Sequence, residues 1–394
     1  MAGEERYIGV AERRTRLALR QRVAGPARAA SPEEVAGSLV ALHGTDPATV
    51  YLAVGARLAD PAKTVPDTGR ALYTDRTLVR MHGMRHTVFV FPTDLTAVVH
   101  ASTGLAVAAR ERAALLKDMA KAGAPDAAWL KEVEESALAA LARRGQATAA
   151  ELAQDEPRLR EQWVYAAGKS YEGLHTVSTR LLRVLGVEGK VVRGRPLGSW
   201  TSSQFRWAVA PEHPELDAAG AQASLLGRWL AVCGPATEAD LKWWTGWRVT
   251  EVRRALAAIG ARPVAVDEGT GYVVDGDTGP MAEAVEPWAA LLPGLDPTAM
   301  GWQQRDWYLA PRLRPLLFDG SGNVGPTVWW DGRVVGGWAQ RPDGEIAWRL
   351  LETDGVGREA RTAIETEAER LRGWVGTTRV TPRFRTPLEK ELSA

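Results

Sequence analysis

The feature that most limits the fold of this chain is a recurring unit: a long helix, a short capped helix, another helix, a glycine turn and a pair of alternating strands. Its clearest copy begins at "WLKEVEESALAALARRGQATAAELAQ", a long amphipathic helix, a turn at Gly145 and a short helix opened by Thr148 with Glu151 three residues on, the spacing of a capping box. "GLHTVSTRLLRVLGVEGKVVRG" continues it with a helix over about Leu174 to Leu185, a glycine turn and a hairpin running through Arg206. A later copy starts at "AQASLLGRWLAVCGPATEADLKWWTGW", where Thr237 caps a short helix. "RVTEVRRALAAIG" then supplies the next helix, and "ARPVAVDEGTGYVVDG" a hairpin turning on Glu268-Gly269.

The N-terminal copy follows a basic helical stretch from Arg13 to Val23. Ser31 is an N-cap with Pro32 at the first helical position and Glu33 and Glu34 in the first turn, and this helix is expected to stop at Gly44. Helices over Pro47 to Leu58 and Arg70 to Val79 follow, then "RHTVFVFP" alternates as a strand closed by Pro92. Helices feeding a small hairpin are the pattern of a winged helix, and the copies are spaced too widely and loosely for a solenoid. Residues 281–394 differ: "PTVWWDGRVVGGWAQRPDGEIAWRLL" reads as three strands joined by Asp-Gly turns, followed by the helix "GREARTAIETEAERLRGWV". The expected fold is therefore α+β and mainly α. Three tandem winged-helix modules, at 1–120, 121–215 and 216–280, precede a β-rich α+β element at 281–394.

Charge is unevenly spread. The net charge is +1, but Met1 to Ala30 holds seven Arg against three Glu, Pro157 to Val209 holds nine Lys or Arg against three Glu, and Val264 to Arg372 holds 18 acids against 10 arginines. Such a chain can turn a positive face to phosphates while staying near neutral overall. In the middle copy Lys169, Arg180 and Arg183 sit on or beside the helix that would dock on DNA, and Lys190, Arg193, Arg195 and Arg206 on its wing. Each alone is also explained as an ordinary solvated charge; it is the cluster that points to nucleic acid.

Other chemistries lack their signatures. There is no GxGxxG, Walker loop, HExxH or nucleophile elbow, and the six histidines do not fall at metal-ligand spacings, so neither metal nor cofactor is expected. His82 and His86 stand four apart, but a helix-to-strand junction between them should break any shared face. The single cysteine, Cys233, excludes internal disulfides and reads as a small core residue. A charged N-terminus and the lack of a long apolar run point to the cytoplasm, and no heptad or exposed apolar stripe suggests an obligate partner, so a monomer is expected.

Five ordered blocks carry a family resemblance: "LHGTDPATVYLAVGARL", "RMHGMRHTVFVFPTDL", "ADLKWWTGWRVTEVRRAL", "LLPGLDPTAMGWQQRDWYL" and "PTVWWDGRVVGGWAQ". Across nearly the whole chain they resemble the winged-helix DNA glycosylases of the AlkZ/YcaQ type. The resemblance implies a C-shaped assembly of three winged helices and a C-terminal β element around a basic channel for duplex DNA. It further implies excision of bulky N7-alkylated purines and unhooking of crosslinks, in DNA repair or as self-resistance to a genotoxic natural product.

That family carries Gln-x-Gln or Gln-x-Asp before an Asp-Pro helix start; here the two positions hold His43 and Thr45, ahead of Asp46-Pro47. An imidazole can take a proton from water, whereas a threonine hydroxyl can orient it. Asp46 reads chiefly as the helix cap, and His43 as either a catalytic or DNA-contacting group or a satisfied buried histidine. By the same resemblance Arg85 and His86 fall on the first wing beside the lesion, where they are equally ordinary strand-edge charges. Arg305 and Asp306 match a position near the channel that packing beside Trp explains as well. An enzyme tolerant of large adducts should rely little on turning its base into a tight pocket. A second reading from another class, a non-catalytic winged-helix regulator or lesion sensor, accommodates the altered motif too.

Overall fold

The computed structural model describes residues 6–165, 168, 172–281 and 285–394. Lys169 lies outside them. Helix α1 (Val10–Arg20) leads into α2 (Pro32–Leu39), β1 (Leu42–His43), α3 (Pro47–Gly55), α4 (Thr64–Tyr73), β2 (Leu78–His82) and β3 (Val88–Pro92). Ser31 caps α2 by accepting a hydrogen bond from the Glu34 amide. The helix does not reach Gly44: Val40 takes a positive φ of 64°, which ends it, and Leu42 and His43 pair with Val90 and Phe89 of β3. The three strands form one antiparallel sheet in the order β1-β3-β2.

After α5 (Thr93–Val99) and α6 (Leu105–Lys121) the arrangement recurs as α7 (Ala127–Arg144), α8 (Ala149–Asp155), α9 (Val177–Val187), β6 (Val191–Pro196) and β7 (Phe205–Val209), with a two-stranded insert, β4 (Gln162–Tyr165) and β5 (Gly173–Thr176), between α8 and α9. Ala147 exchanges backbone hydrogen bonds of 2.9 and 2.7 Å with Trp207 of β7, the place that β1 holds against β3. The third copy comprises α10 (Ala218–Cys233), β8 (Ala236–Thr237), α11 (Glu238–Thr245), α12 (Val249–Ala258), β9 (Arg262–Val266) and β10 (Gly269–Val273). Its sheet order, β8-β10-β9, repeats the first. The capping boxes at Thr148 and Thr237 form, with Glu151 and Asp240 as the returning acids.

The C-terminal part is a four-stranded antiparallel sheet, β11 (Ala289–Leu292), β12 (Thr327–Trp330), β13 (Arg333–Gln340) and β14 (Ile346–Leu350), joined by a short α13 (Arg314–Leu317) between β11 and β12. Helix α14 (Arg358–Val375) covers one face and α15 (Pro387–Leu392) packs on β13. Both faces are apolar because the sheet divides two cores: Trp329, Val334 and Ala347 belong to one, Val328, Trp330 and Ile346 to the other.

The largest core joins α1, β3, α5, α10, α11 and α12 to this sheet, whereas Leu115 to Trp207 enclose a core of their own. Cys233 is buried in the large core, accepting from the Gln21 side chain at 3.4 Å. The Arg57 guanidinium, fully buried, donates to both carboxylate oxygens of Asp296 (2.7 and 2.9 Å), to the Thr298 hydroxyl and to two backbone carbonyls. Among the described residues no helix is long and apolar enough to cross a membrane.

Candidate active site

Strand periodicity decides where His43 points. Leu42 is fully buried among α2, α3 and β3, so the next side chain leaves the opposite face, where the His43 ring meets Phe89 edge-on at 5.4 Å. Gly44 keeps the chain against β3: its amide donates to the Val88 carbonyl at 2.8 Å, and a Cβ there would stand 3.1 Å from the Phe89 backbone. The buried Arg80 side chain holds the motif from behind, donating to the carbonyls of Gly44 (2.7 Å) and Thr45 (3.4 Å). Asp46 is fully committed as a cap, one oxygen accepting from the Ala48 amide and the other from the Arg383 amide, each at 3.0 Å.

The His43 ring opens onto a cleft of about 640 Å³ lined also by Arg85, Trp243, Gln303, Arg305 and Phe318. Thr45 does not line it. Among the described residues no acidic one lines it either, and the guanidiniums of Arg85 and Arg305 lie over the Trp243 ring at 4.3 and 5.0 Å. Arg314, at the rim, is paired with Asp306 at 2.6 Å. Burial, with Arg85 and Arg80 adding positive potential, lowers the His43 imidazole from 6.5 to about 4, so it is neutral at physiological pH. Its Nδ1 is buried with no hydrogen-bond partner.

The turn that brings Arg85 here is strained. Arg85 and His86 have φ of 53° and 60°, two consecutive side-chain-bearing residues in the left-handed region, a conformation that collects at functional sites. Gly246 permits the approach: with φ 73° it ends α11, and a Cβ there would stand 3.0 Å from Arg85 Cγ. The same turn folds His86 back over His82, their rings 5.4 Å apart, so these two are neighbours despite the change of element between them. Burial lowers His82 to about 3, with Arg193 and His86 contributing. His86 faces away from the His43 cleft, making a 3.2 Å contact with Glu111 and another with Arg183 of α9.

The remaining basic residues divide. Arg180 is buried and paired with Asp118 at 3.2 Å, Lys190 with Glu134 and Glu188, and Arg206 with Glu151 at 2.7 Å. Arg193 and Arg195 have no such carboxylate: Arg193 lies over Phe205 at 4.6 Å and Arg195 over Tyr73 at 5.3 Å.

Trp243 and Gln303 are site residues that sequence reasoning passes over. A signal was available for the tryptophan: Trp243 and Trp244 are adjacent on α11 and point about 100° apart, so the two face different surroundings. Trp244 is buried in the large core, while Trp243, partly buried against the same core, also lines the cleft.

A search of curated proteins returns no match. Among solved structures, the chain is similar to the Streptomyces sahachiroi DNA glycosylase AlkZ, with a TM-score of 0.69 and 20% identity over 94% of this chain and 98% of that one. A family model described as "DNA glycosylase AlkZ-like" matches residues 36–374, which takes in the motif, the cleft, most of the first repeated unit and the whole of the other two, and the chain therefore belongs to the AlkZ-like family of DNA glycosylases.

Proposed function

We propose that this enzyme hydrolyses the N-glycosidic bond of bulky N7-alkylated purines in duplex DNA, with neutral His43 placing the attacking water. The observation that carries the reading is the His43 ring itself, a neutral imidazole that lines an open cleft. We read the three repeated units as winged helices, at 1–120, 121–215 and 216–280, which with residues 281–394 curve around a basic DNA channel, and the protein as a cytoplasmic monomer active in repair or genotoxin self-resistance.

An N7-alkylpurine carries a positive charge, so when its bond to C1′ breaks, the electron pair neutralises the departing base and leaves an oxocarbenium-like sugar. Water then attacks C1′. As the new C–O bond forms, that water becomes strongly acidic, and a base held near 4 can accept its proton and pass it to solvent. Thr45, outside the cleft lining, would contribute through its carbonyl contact with Arg80, which fixes the motif, more than through its hydroxyl. The acid-free lining does not favour the cationic base itself; Arg85 and Arg305 are suited to the phosphates flanking it. His86 and Arg183 would meet the duplex at the seam between the first two units. Arg180, Lys190 and Arg206 would have to exchange a carboxylate for a phosphate to take part.

The test is incubation with DNA bearing a defined N7-alkylguanine, reading free base and alkali-labile abasic sites. Release by the native protein from a bulky adduct supports the substrate class; release from none, bulky or simple, overturns it.

A further inference from the structure

We propose that a second cavity, bounded by the end of α4, strand β2 and the β6–β7 hairpin, binds a phosphate ester. It measures about 630 Å³, the size range of small-molecule sites, and shares no lining residue with the His43 cleft. Among the described residues five arginines line it, Arg76, Arg80, Arg193, Arg195 and Arg206, and no acidic residue does.

Among the described residues, only Arg206 of these has a carboxylate partner, Glu151. Arg80 donates to two carbonyls, and the one acid whose charge it feels, Asp46, has both oxygens on backbone amides. Arg195 reaches only the Thr74 hydroxyl, at 3.4 Å, and the Tyr73 ring. Arg193 lies over Phe205 at 4.6 Å, with Trp207 at 5.9 Å. Carbonyls, hydroxyls and rings orient a guanidinium but do not cancel its charge. Burial and the nearby Arg80, Arg383 and Arg183 accordingly push Arg193 down to about 9, the mark of a cation crowded by cations.

Buried like charges without a counter-ion are costly, so the anion that relieves them comes from outside. Several planar forks converging on one space suit the oxygens of a phosphate, which they can grip two at a time. Much of the remaining wall is apolar, Leu72, Leu78, Val192 and Leu197 among it, and Tyr73 offers a ring face, surfaces suited to a sugar or a base. A phosphate of a DNA strand and that of a free nucleotide share this chemistry.

The experiment uses the full chain and an Arg76→Gln/Arg195→Gln double variant, both side chains being exposed. The probes are an undamaged mixed-sequence duplex, titrated at several salt concentrations, and deoxyadenosine 5′-monophosphate. If the phosphate belongs to DNA, the variant binds duplex about tenfold or more weakly at low salt, and the dependence of log K on log salt becomes shallower by about one unit per lost contact. If it belongs to a free nucleotide, the monophosphate binds the native protein and at least tenfold less well to the variant, with duplex binding unchanged. Equal duplex affinity, salt slope and monophosphate binding in the two proteins overturns the proposal. No glycosidic bond breaks in these measurements, so their outcome is independent of whether His43 assists base release.

Discussion

His43 is buried as a neutral imidazole, and this has two consequences with opposite experimental faces. Base release should be nearly level from pH 8 down to about 5.5 and fall only as the pH approaches about 4, where the ring protonates. A rate profile breaking near 6.5 would mean that the ring is solvated and ordinary. Stability follows the same shift. The folded pKa lies below the unfolded 6.5, so the unfolded chain binds more protons between the two values; the contribution of neutral burial is complete above 6.5 and erodes as pH falls toward about 4, with His82 extending the loss toward about 3. Thermal melts from pH 7 to 4 should therefore slope less in His43→Gln than in the native protein. Identical slopes would remove the buried-neutral description.

At the scale of the elements, the critical joint is between the β2–β3 turn and the end of α11. Gly246→Ala places a Cβ in a left-handed cap and against Arg85 Cγ, and is expected to cost about 1 kcal/mol or more. It should also weaken DNA binding by displacing Arg85, whereas Gly260→Ala, at a glycine of similar φ with open space around it, should cost stability alone. Equal DNA affinity in the two variants would sever Arg85 from the duplex.

Helix starts were legible because capping is local: Ser31, Asp46, Thr148 and Thr237 each cap where the sequence puts them. The end of α2 was not, since its stop at Leu39 depends on Leu42 and His43 finding β3 more than forty residues on, and pairing across that distance leaves no periodic signal. Nor could sequence show which arginines were already paired. Arg180 finds Asp118, Lys190 finds Glu134 and Arg206 finds Glu151 across 62, 56 and 55 residues. The cationic cluster was thus visible while its free members were not.

For the whole molecule, the first unit and the C-terminal sheet are fastened through Arg57 and Asp296, neither with any exposed side-chain surface. Arg57→Met leaves a buried carboxylate uncompensated and should destabilise the fold by about 3–5 kcal/mol; replacing both, Arg57→Met with Asp296→Leu, should recover much of it. Denaturant unfolding checks this, and a double variant no better than the single would show that the charge pair is not what the loss reports. Because Arg57 lies just past the end of α3, which follows the His43 strand, this pair also fixes the strand relative to the Arg305 side of the cleft. Three strands of the C-terminal sheet were readable from their Asp-Gly turns, but the fourth, β11, was not, and the two-sided burial depends on cores assembled from distant regions of the chain.

The most direct test of the account is single-turnover release of N7-alkylguanine from duplex DNA by the native protein and by His43→Ala, with melting temperatures compared above pH 7. The account predicts free base and an abasic site from the native protein, and a rate lower by about 10²- to 10⁴-fold in a variant that remains folded. Native-rate release by folded His43→Ala would contradict it.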